Sequence, residues 1–562
     1  MGVRRTVARW VVWVLTGLCG VLATGRGSAG ALNEAPGAVA TVHPLASAAG
    51  LAALARGGNA VDATIAAALT LGVVDGHNSG IGGGCLLLAR LADGSVVAID
   101  GRETAPARAS RDMFIRNGRA DPALSRTGAL AVGVPGALAA YEYAAARYGK
   151  LPLADHLRAA ADLAERGFAL DRHYAARLAE TAKDLARFPE ARAVFLRPDG
   201  RPRRAGELLR QPDLARTYRA IAEHGVGWFY RGPFAEATAG WMRAYGGLLT
   251  REDFARYEVK LREPLRSRYR GFEIIGFPPP SSGGVHVAQI LNILEHFDLK
   301  AMGPNSADFV HVSAEAMKLA FADRAHWLGD SDFTPVPRGL VSREYGADLA
   351  ARIHLDRATP VPGHGTPPRA GEELFGKHTT HFSAADKDGV WVACTATINT
   401  SFGAKVVVPG TGVVLNNQMD DFVAQPGASN YFGLAGAAAN AVAPGKRPLS
   451  SMSPTLVLEQ GRPELSVGAA GGPTIISQAV LAIVRRIDFG MSVQAALKVP
   501  RFHHQWRPDE LRVERGWSAA VLRELRNRGH KVVRGGSLGA TQAVATGPNG
   551  RGFVAVRDPR VE

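Results

Sequence analysis

A chain of 562 residues is long enough for two or more average domains or for one large layered unit, so size does not limit its core. Its formal charge of +15 is spread along the sequence, with Arg201-Pro202-Arg203-Arg204 the only tight basic cluster. No basic run is interleaved with aromatic residues, which leaves a solvated basic surface and excludes a recognisable nucleic-acid-binding motif.

In chain order, the first segment is residues 1–31. Arg4, Arg5 and Arg9 precede an apolar run over 10–23, and small residues lead to Ala29-Gly30-Ala31. A basic start, apolar middle and Ala-x-Ala end predict a secretory signal peptide cut after Ala31, with a periplasmic or secreted product. The run is shorter than the ~20 residues that span a bilayer, so no stable membrane anchor is expected. Losing four arginines and no acid takes the net charge from +15 to +11. Cys85 and Cys394 remain, both in apolar strand-like runs, and read as buried free thiols; an exported chain this large needs no disulfide.

Residues 46–71 are Ala-rich with helical spacing, and Gly57-Gly58-Asn59 divides them into two helices. The glycines of Asn78-Ser79-Gly80-Ile81-Gly82-Gly83-Gly84 resemble a dinucleotide fingerprint only superficially. Cys85 takes its last glycine position, and Cys85-Leu86-Leu87-Leu88-Ala89 reads as a strand where that motif needs a helix. Close backbone packing is the better reading. Residues 120–260 are mostly amphipathic helix, and Pro278-Pro279-Pro280-Ser281-Ser282-Gly283-Gly284 is a rigid loop before a helix over 285–297. Pro and Gly thicken over 359–371, the composition of a mobile connector. Strands are expected over 406–415, near Leu456, over 465–469 and over 543–556, with helices over 475–486 and 519–528. There is no internal repeat or heptad run.

The stretch from Lys377 to Thr397 alternates apolar and polar residues on both sides of Asp386-Lys387-Asp388-Gly389. This is a hairpin with a three-residue loop and Gly389 in the left-handed position. With Asp386 opposite Val390, paired residue numbers sum to 776, which sets Thr379 opposite Thr397. A threonine that became a chain terminus would carry its own amine as general base. Paired threonines are also ordinary sheet residues, so the hairpin alone leaves both readings open.

The sequence resembles the γ-glutamyltranspeptidases, a family of N-terminal-nucleophile hydrolases. The resemblance rests on Ser79 to Gly84, Arg102-Glu103-Thr104-Ala105-Pro106, the Pro278 to Gly284 loop, Thr379-Thr380-His381, Leu415-Asn416-Asn417-Gln418-Met419-Asp420-Asp421-Phe422, Arg447-Pro448-Leu449-Ser450-Ser451-Met452-Ser453-Pro454-Thr455, Gly471-Gly472 and Arg501-Phe502-His503-His504-Gln505. It implies an α+β four-layer αββα sandwich built by two subunits of one precursor; patterning alone gives only a mixed α/β protein. The precursor would cut itself between His378 and Thr379, leaving a large subunit 32–378 and a small subunit 379–562 as a heterodimer.

The resemblance further implies a γ-glutamyltransferase and glutathione hydrolase in which Thr379 attacks the γ-glutamyl amide of glutathione and related compounds. Water or an amino acid or peptide acceptor would resolve the ester. Thr397 would orient Thr379, and Gly471 and Gly472 would donate backbone N–H groups to the oxyanion. Arg102, Ser450 and Ser451 suit the carboxylate of the γ-glutamyl head, and Asn399, Gln418 and Asp421 suit its ammonium. Asp420 shapes the neighbouring turn. Tyr431 and Phe432 lie in a lid; Phe432 stands where well-known bacterial members have tyrosine, so a looser lid, or one held by Tyr431, is expected. No cofactor or metal is expected. Adjacent His503 and His504 point to opposite faces of a strand and read as structural. No phosphate-binding loop or serine-hydrolase motif is present. Two rivals stand beside this reading: a glutaryl, cephalosporin or oxamate acylase of the same fold, and an uncut exported protein that binds glutathione-like peptides.

Overall fold

The computed structural model describes residues 36–371, 374–375, 384–425 and 427–561. Strand Gly84–Arg90 shows why the sheets are layered: Cys85, Leu87 and Ala89 are buried in one hydrophobic cluster while Leu86 and Leu88 are buried in two others. Alternate side chains leave opposite faces of a strand, so a run apolar at every position must be covered on both sides.

Two six-stranded sheets supply that covering. The first runs in the order Gly37–Val39, Ala384–Asp386, Trp391–Thr397, Gly84–Arg90, Val96–Gly101 and Lys260–Leu261. The second runs Phe553–Val556, Ala540–Thr546, Arg462–Ala470, Thr455–Glu459, Phe272–Gly276 and Leu265–Tyr269. Leu88, Ala98, Trp391 and Ala393 of the first meet Ile275, Leu456, Leu458 and Val544 of the second in the middle layer. The Ala-rich helices Pro44–Ala55 and Ala60–Val74 cover the outer face of the first sheet, and Gly283–Leu294, Ala307–Trp327 and Thr474–Ile487 cover that of the second. This is the expected four-layer αββα sandwich.

The hairpin keeps the register read from the sequence: Ala384 faces Val392 and Ala385 faces Trp391, and Gly389 has φ +87°. Asp386 fixes the turn, accepting from Val390 N at 3.1 Å through Oδ1 and, through Oδ2, from Ala60 N at 2.9 Å at the start of a helix. That helix begins with a capping box in which Asn59 and Asp62 satisfy each other's backbone N–H groups. Gly83 approaches the Thr397 carbonyl so closely that a Cβ would overlap it, so the glycine loop serves backbone packing, as expected. Cys85 and Cys394 are free thiols; Cys85 is buried and Cys394 only partly so.

Two expectations change. Residues 406–415 form a tight turn with one isolated bridge, Val407 to Val414, instead of a regular strand. The segment 359–371 has a connector's composition but is seated along the body. Thr359 N donates to Glu315 Oε2 at 2.9 Å, Lys318 Nζ to Thr359 O at 2.8 Å, Trp506 Nε1 to Val361 O at 2.8 Å, and Gly365 N to Asp323 Oδ1 at 2.7 Å. Composition misled here because proline and glycine remove local structure without removing the carbonyls and N–H groups that long-range partners can take.

Candidate active site

Thr397 ends its strand at a cavity of about 300 Å³. Arg102, Asn399, Gln418, Asp421, Ser450 and Ser451 all line it, and Gly471, Gly472, Tyr431 and Phe432 form part of the same wall. The described residues expected at the site, from five separate stretches of sequence, therefore meet around one space. His378 and Thr379 lie outside the described residues.

Arg102 is fully buried at the end of strand Val96–Gly101. Its Nη2 donates to Asp421 Oδ2 at 2.6 Å and its Nε to Pro448 O at 3.0 Å. Gln418 Nε2 donates to the same Asp421 oxygen at 2.7 Å. Asp421 Oδ1 and Gln418 Oε1 have no hydrogen-bond partner among the described residues, which leaves two acceptors at the cavity wall. Burial pushes the Asp421 carboxyl above its ordinary range, opposed by Arg102; burial likewise pushes neighbouring Glu103 up to about 7. Asn399 sits at φ +79°, with Nδ2 donating to Asn417 O at 3.0 Å and its N–H donating to Thr397 Oγ1 at 2.8 Å. The Thr397 hydroxyl thereby keeps its own proton for another partner.

Gly471 and Gly472 have φ of +136° and +59°, and neither amide N–H has an acceptor among the described residues. They sit just before helix Thr474–Ile487, whose N-terminal dipole adds positive potential there. Two N–H groups without an acceptor among the described residues, at a helix start, form an anion receptor on physical grounds alone. Phe432 closes over Gly472, where an added Cβ would stand 2.5 Å from Phe432 Cδ1.

The segment around Tyr431 and Phe432 is fastened through its backbone. Tyr431 N donates to Asp420 Oδ2 at 2.8 Å, and Gln505 Nε2 donates to Phe432 O at 3.2 Å. Asp420 also accepts from Ser125 Oγ at 2.6 Å, so its role in shaping the turn is visible in its partners. Among the described residues the Tyr431 hydroxyl has no partner: its ring is exposed, with the Arg126 guanidinium 5.4 Å from its centroid.

Sequence reasoning missed Arg324, which lines the cavity from helix Ala307–Trp327 with only 5% of its surface exposed. A lone arginine in an amphipathic helix carries no local signal of this. His503 and His504 use all four ring nitrogens on Ser477, Gln505, Asp509 and the Trp506 N–H. His311, Glu315 and His530 bring three donor atoms together, but His311 Nδ1 is 2.7 Å from His530 Nε2 and Lys318 Nζ is 2.7 Å from Glu315. An ammonium already occupies that corner.

Layered sheets between helices, with a cavity at the end of the strand that carries Thr397, are the architecture of the N-terminal-nucleophile hydrolases. The γ-glutamyltranspeptidase family model matches residues 46–562. A glutathione hydrolase proenzyme of Escherichia coli (strain K12) is 44% identical over 93% of this chain and 90% of its own. An acylase ACY 1 proenzyme of Pseudomonas sp. (strain SE83) is 42% identical over 92% of this chain and 90% of its own. The crystal structure of a cephalosporin acylase from Bacillus halodurans superposes with a TM-score of 0.83 at 29% identity, covering 96% of this chain and 98% of that one. The chain belongs to the γ-glutamyltranspeptidase family.

Proposed function

We propose that the chain is an exported, self-processing γ-glutamyltransferase and glutathione hydrolase. Thr379 Oγ1 attacks the carbonyl of His378, the ester hydrolyses, and the new threonine amine lies beside the same hydroxyl. In the mature enzyme that amine takes the hydroxyl proton as Oγ1 attacks the γ-amide carbon. The N–H groups of Gly471 and Gly472 stabilise the oxyanion, and the proton passes to the departing amine of cysteinylglycine. Water then releases glutamate, or an amino acid or dipeptide takes the γ-glutamyl group. The register kept by residues 384–386 and the spare proton of Thr397 support pairing of Thr379 with Thr397. Residues 1–31 direct export; among the described residues no helix is long and apolar enough to cross a membrane.

The observation that carries the substrate reading is the pair of acceptors, Asp421 Oδ1 and Gln418 Oε1, that have no partner among the described residues. They suit an ammonium beside the carboxylate of a γ-glutamyl head, whereas a glutaryl acyl group has nothing to give them. The acylase among the relatives makes that rival the one to test.

Intact-mass spectrometry of wild type and Thr379→Ala, with γ-glutamyl and glutaryl anilides as donors, separates the readings. Two chains in wild type only, the smaller starting at Thr379, with faster release from the γ-glutamyl anilide, is the expected result. Two chains with preference for glutaryl would move the function to an acylase, and a single uncut inactive chain would sink both.

A further inference from the structure

The loop that follows Thr397 carries three side chains on left-handed backbone: Asn399, Phe402 and Lys405 have φ of +79°, +58° and +66°. The Phe402 ring packs among those of His77, Tyr174 and Phe195, with centroids 5.8, 5.9 and 4.9 Å away. Lys405 closes the turn from inside. Its Nζ folds back to donate to Gly403 O at 2.7 Å and to Thr400 Oγ1 at 3.3 Å, and Thr400 Oγ1 also accepts from Asn417 Nδ2 at 2.8 Å. Lys405 is buried, and no carboxylate lies within 4.0 Å of its Nζ among the described residues. The charged groups that face it are Asp184, which pairs with Arg187, and Asp420, which pairs with Arg126. An uncharged side chain of the same length would avoid the cost of burying this ammonium, so the charge serves the loop.

We propose that Lys405 is a positioning residue for turnover: its ammonium holds the 398–405 loop in the shape that sets the Asn399 N–H on Thr397 Oγ1. The inference rests on the reading above of Thr397 as the partner of Thr379. Asn399 and Thr400 both line the cavity, and the Asn399 N–H donates to Thr397 Oγ1 at 2.8 Å. With the charge in place, Gly403 O and Thr400 Oγ1 are drawn together and Asn399 stays left-handed, which leaves the Thr397 proton for Thr379. When Nζ loses its proton, both bonds lose their charge assistance and the loop relaxes. Burial, opposed by Asp184 and Asp420, brings the Lys405 ammonium down to about 8. Stability moves the other way. A lysine whose folded pKa lies below its unfolded value of 10.5 adds stability as pH rises from about 8 to 10.5. A fall in turnover over that range is therefore not unfolding caused by this group.

Hydrolysis of γ-glutamyl anilide by the mature enzyme, with no acceptor amine to add a titration of its own, tests this. In wild type, kcat should fall as pH rises through about 8. Lys405→Met is expected to lower kcat below that pH by on the order of 10–100-fold, the scale of losing a charged hydrogen bond, and to lack the falling limb. Its KM should stay within about threefold, less than a third of that loss. Over the same alkaline range the Tm of wild type should rise relative to that of Lys405→Met. A flat wild-type profile, a variant that keeps the wild-type limb, or an effect on KM alone overturns the proposal. Should the methionine variant not fold, Lys405→Arg decides it. The guanidinium stays charged throughout, so its kcat should hold where that of wild type falls; an unchanged limb overturns the proposal. Turnover of glutaryl in place of γ-glutamyl anilide would overturn only the substrate reading, and the same limb would then be read on that donor. A mature enzyme that hydrolyses neither sinks both.

Discussion

Gly472→Ala is expected to lower kcat on γ-glutamyl donors by on the order of 10²–10³-fold, the loss typical of removing one oxyanion donor. Two effects act in the same direction. A φ of +59° costs an L-residue ~1–2 kcal/mol, and the new Cβ would lie 2.5 Å from the Phe432 ring. Either the turn rotates and the Gly472 N–H leaves its line, or the lid rises and admits water. The double variant Gly472→Ala/Phe432→Ala separates them: recovery of most of the loss assigns it to the ring, and additive losses assign it to the backbone. Stopped assays of the mature enzyme give kcat and KM for each. Turnover within threefold of wild type in the single variant would remove Gly472 from the oxyanion site.

Much of this architecture was legible in the sequence because it rests on local rules. Continuous and alternating apolar runs gave the strands, the glycine-closed turn fixed the hairpin register, and Gly57-Gly58-Asn59 marked a helix break that became a capping box. The residues that meet at the cavity were legible through motifs and not through periodicity. Arg102, Asp421 and Ser451 come from three distant stretches, and nothing in their spacing says that they meet. The pairing of Arg102 with Asp421 was not legible, since charge complementarity between distant residues has no sequence period. Arg324 was hidden for the same reason, and the seated segment 359–371 because its partners, Glu315, Lys318, Asp323 and Trp506, lie far away in the chain.

Asp421→Ala should be the most damaging single change at the cavity wall, because it removes an acceptor and leaves Arg102 with only its longer contact to Glu103 at 3.5 Å. Arg102 is fully buried, so losing its 2.6 Å ion pair leaves the guanidinium under-compensated where water cannot solvate it. Asp421→Asn keeps the shape and tests recognition more cleanly. Its preference for γ-glutamyl over glutaryl anilide should fall by on the order of 10–100-fold, the scale of one charged hydrogen bond. The pH dependence follows from burial. The folded Asp421 holds its proton more tightly than an exposed aspartate, so stability contributed by this group is fullest below the unfolded pKa of 3.8 and declines as pH rises through the raised folded value. Recognition runs the opposite way, since the ammonium needs the ionised carboxylate. In wild type, kcat/KM for the γ-glutamyl donor should fall on the acid side at a higher pH than an ordinary aspartate would cause, while the glutaryl profile lacks that limb. Asp421→Asn should abolish the difference between the two profiles. If both donors keep the same acid limb in wild type and variant, Asp421 does not hold the ammonium.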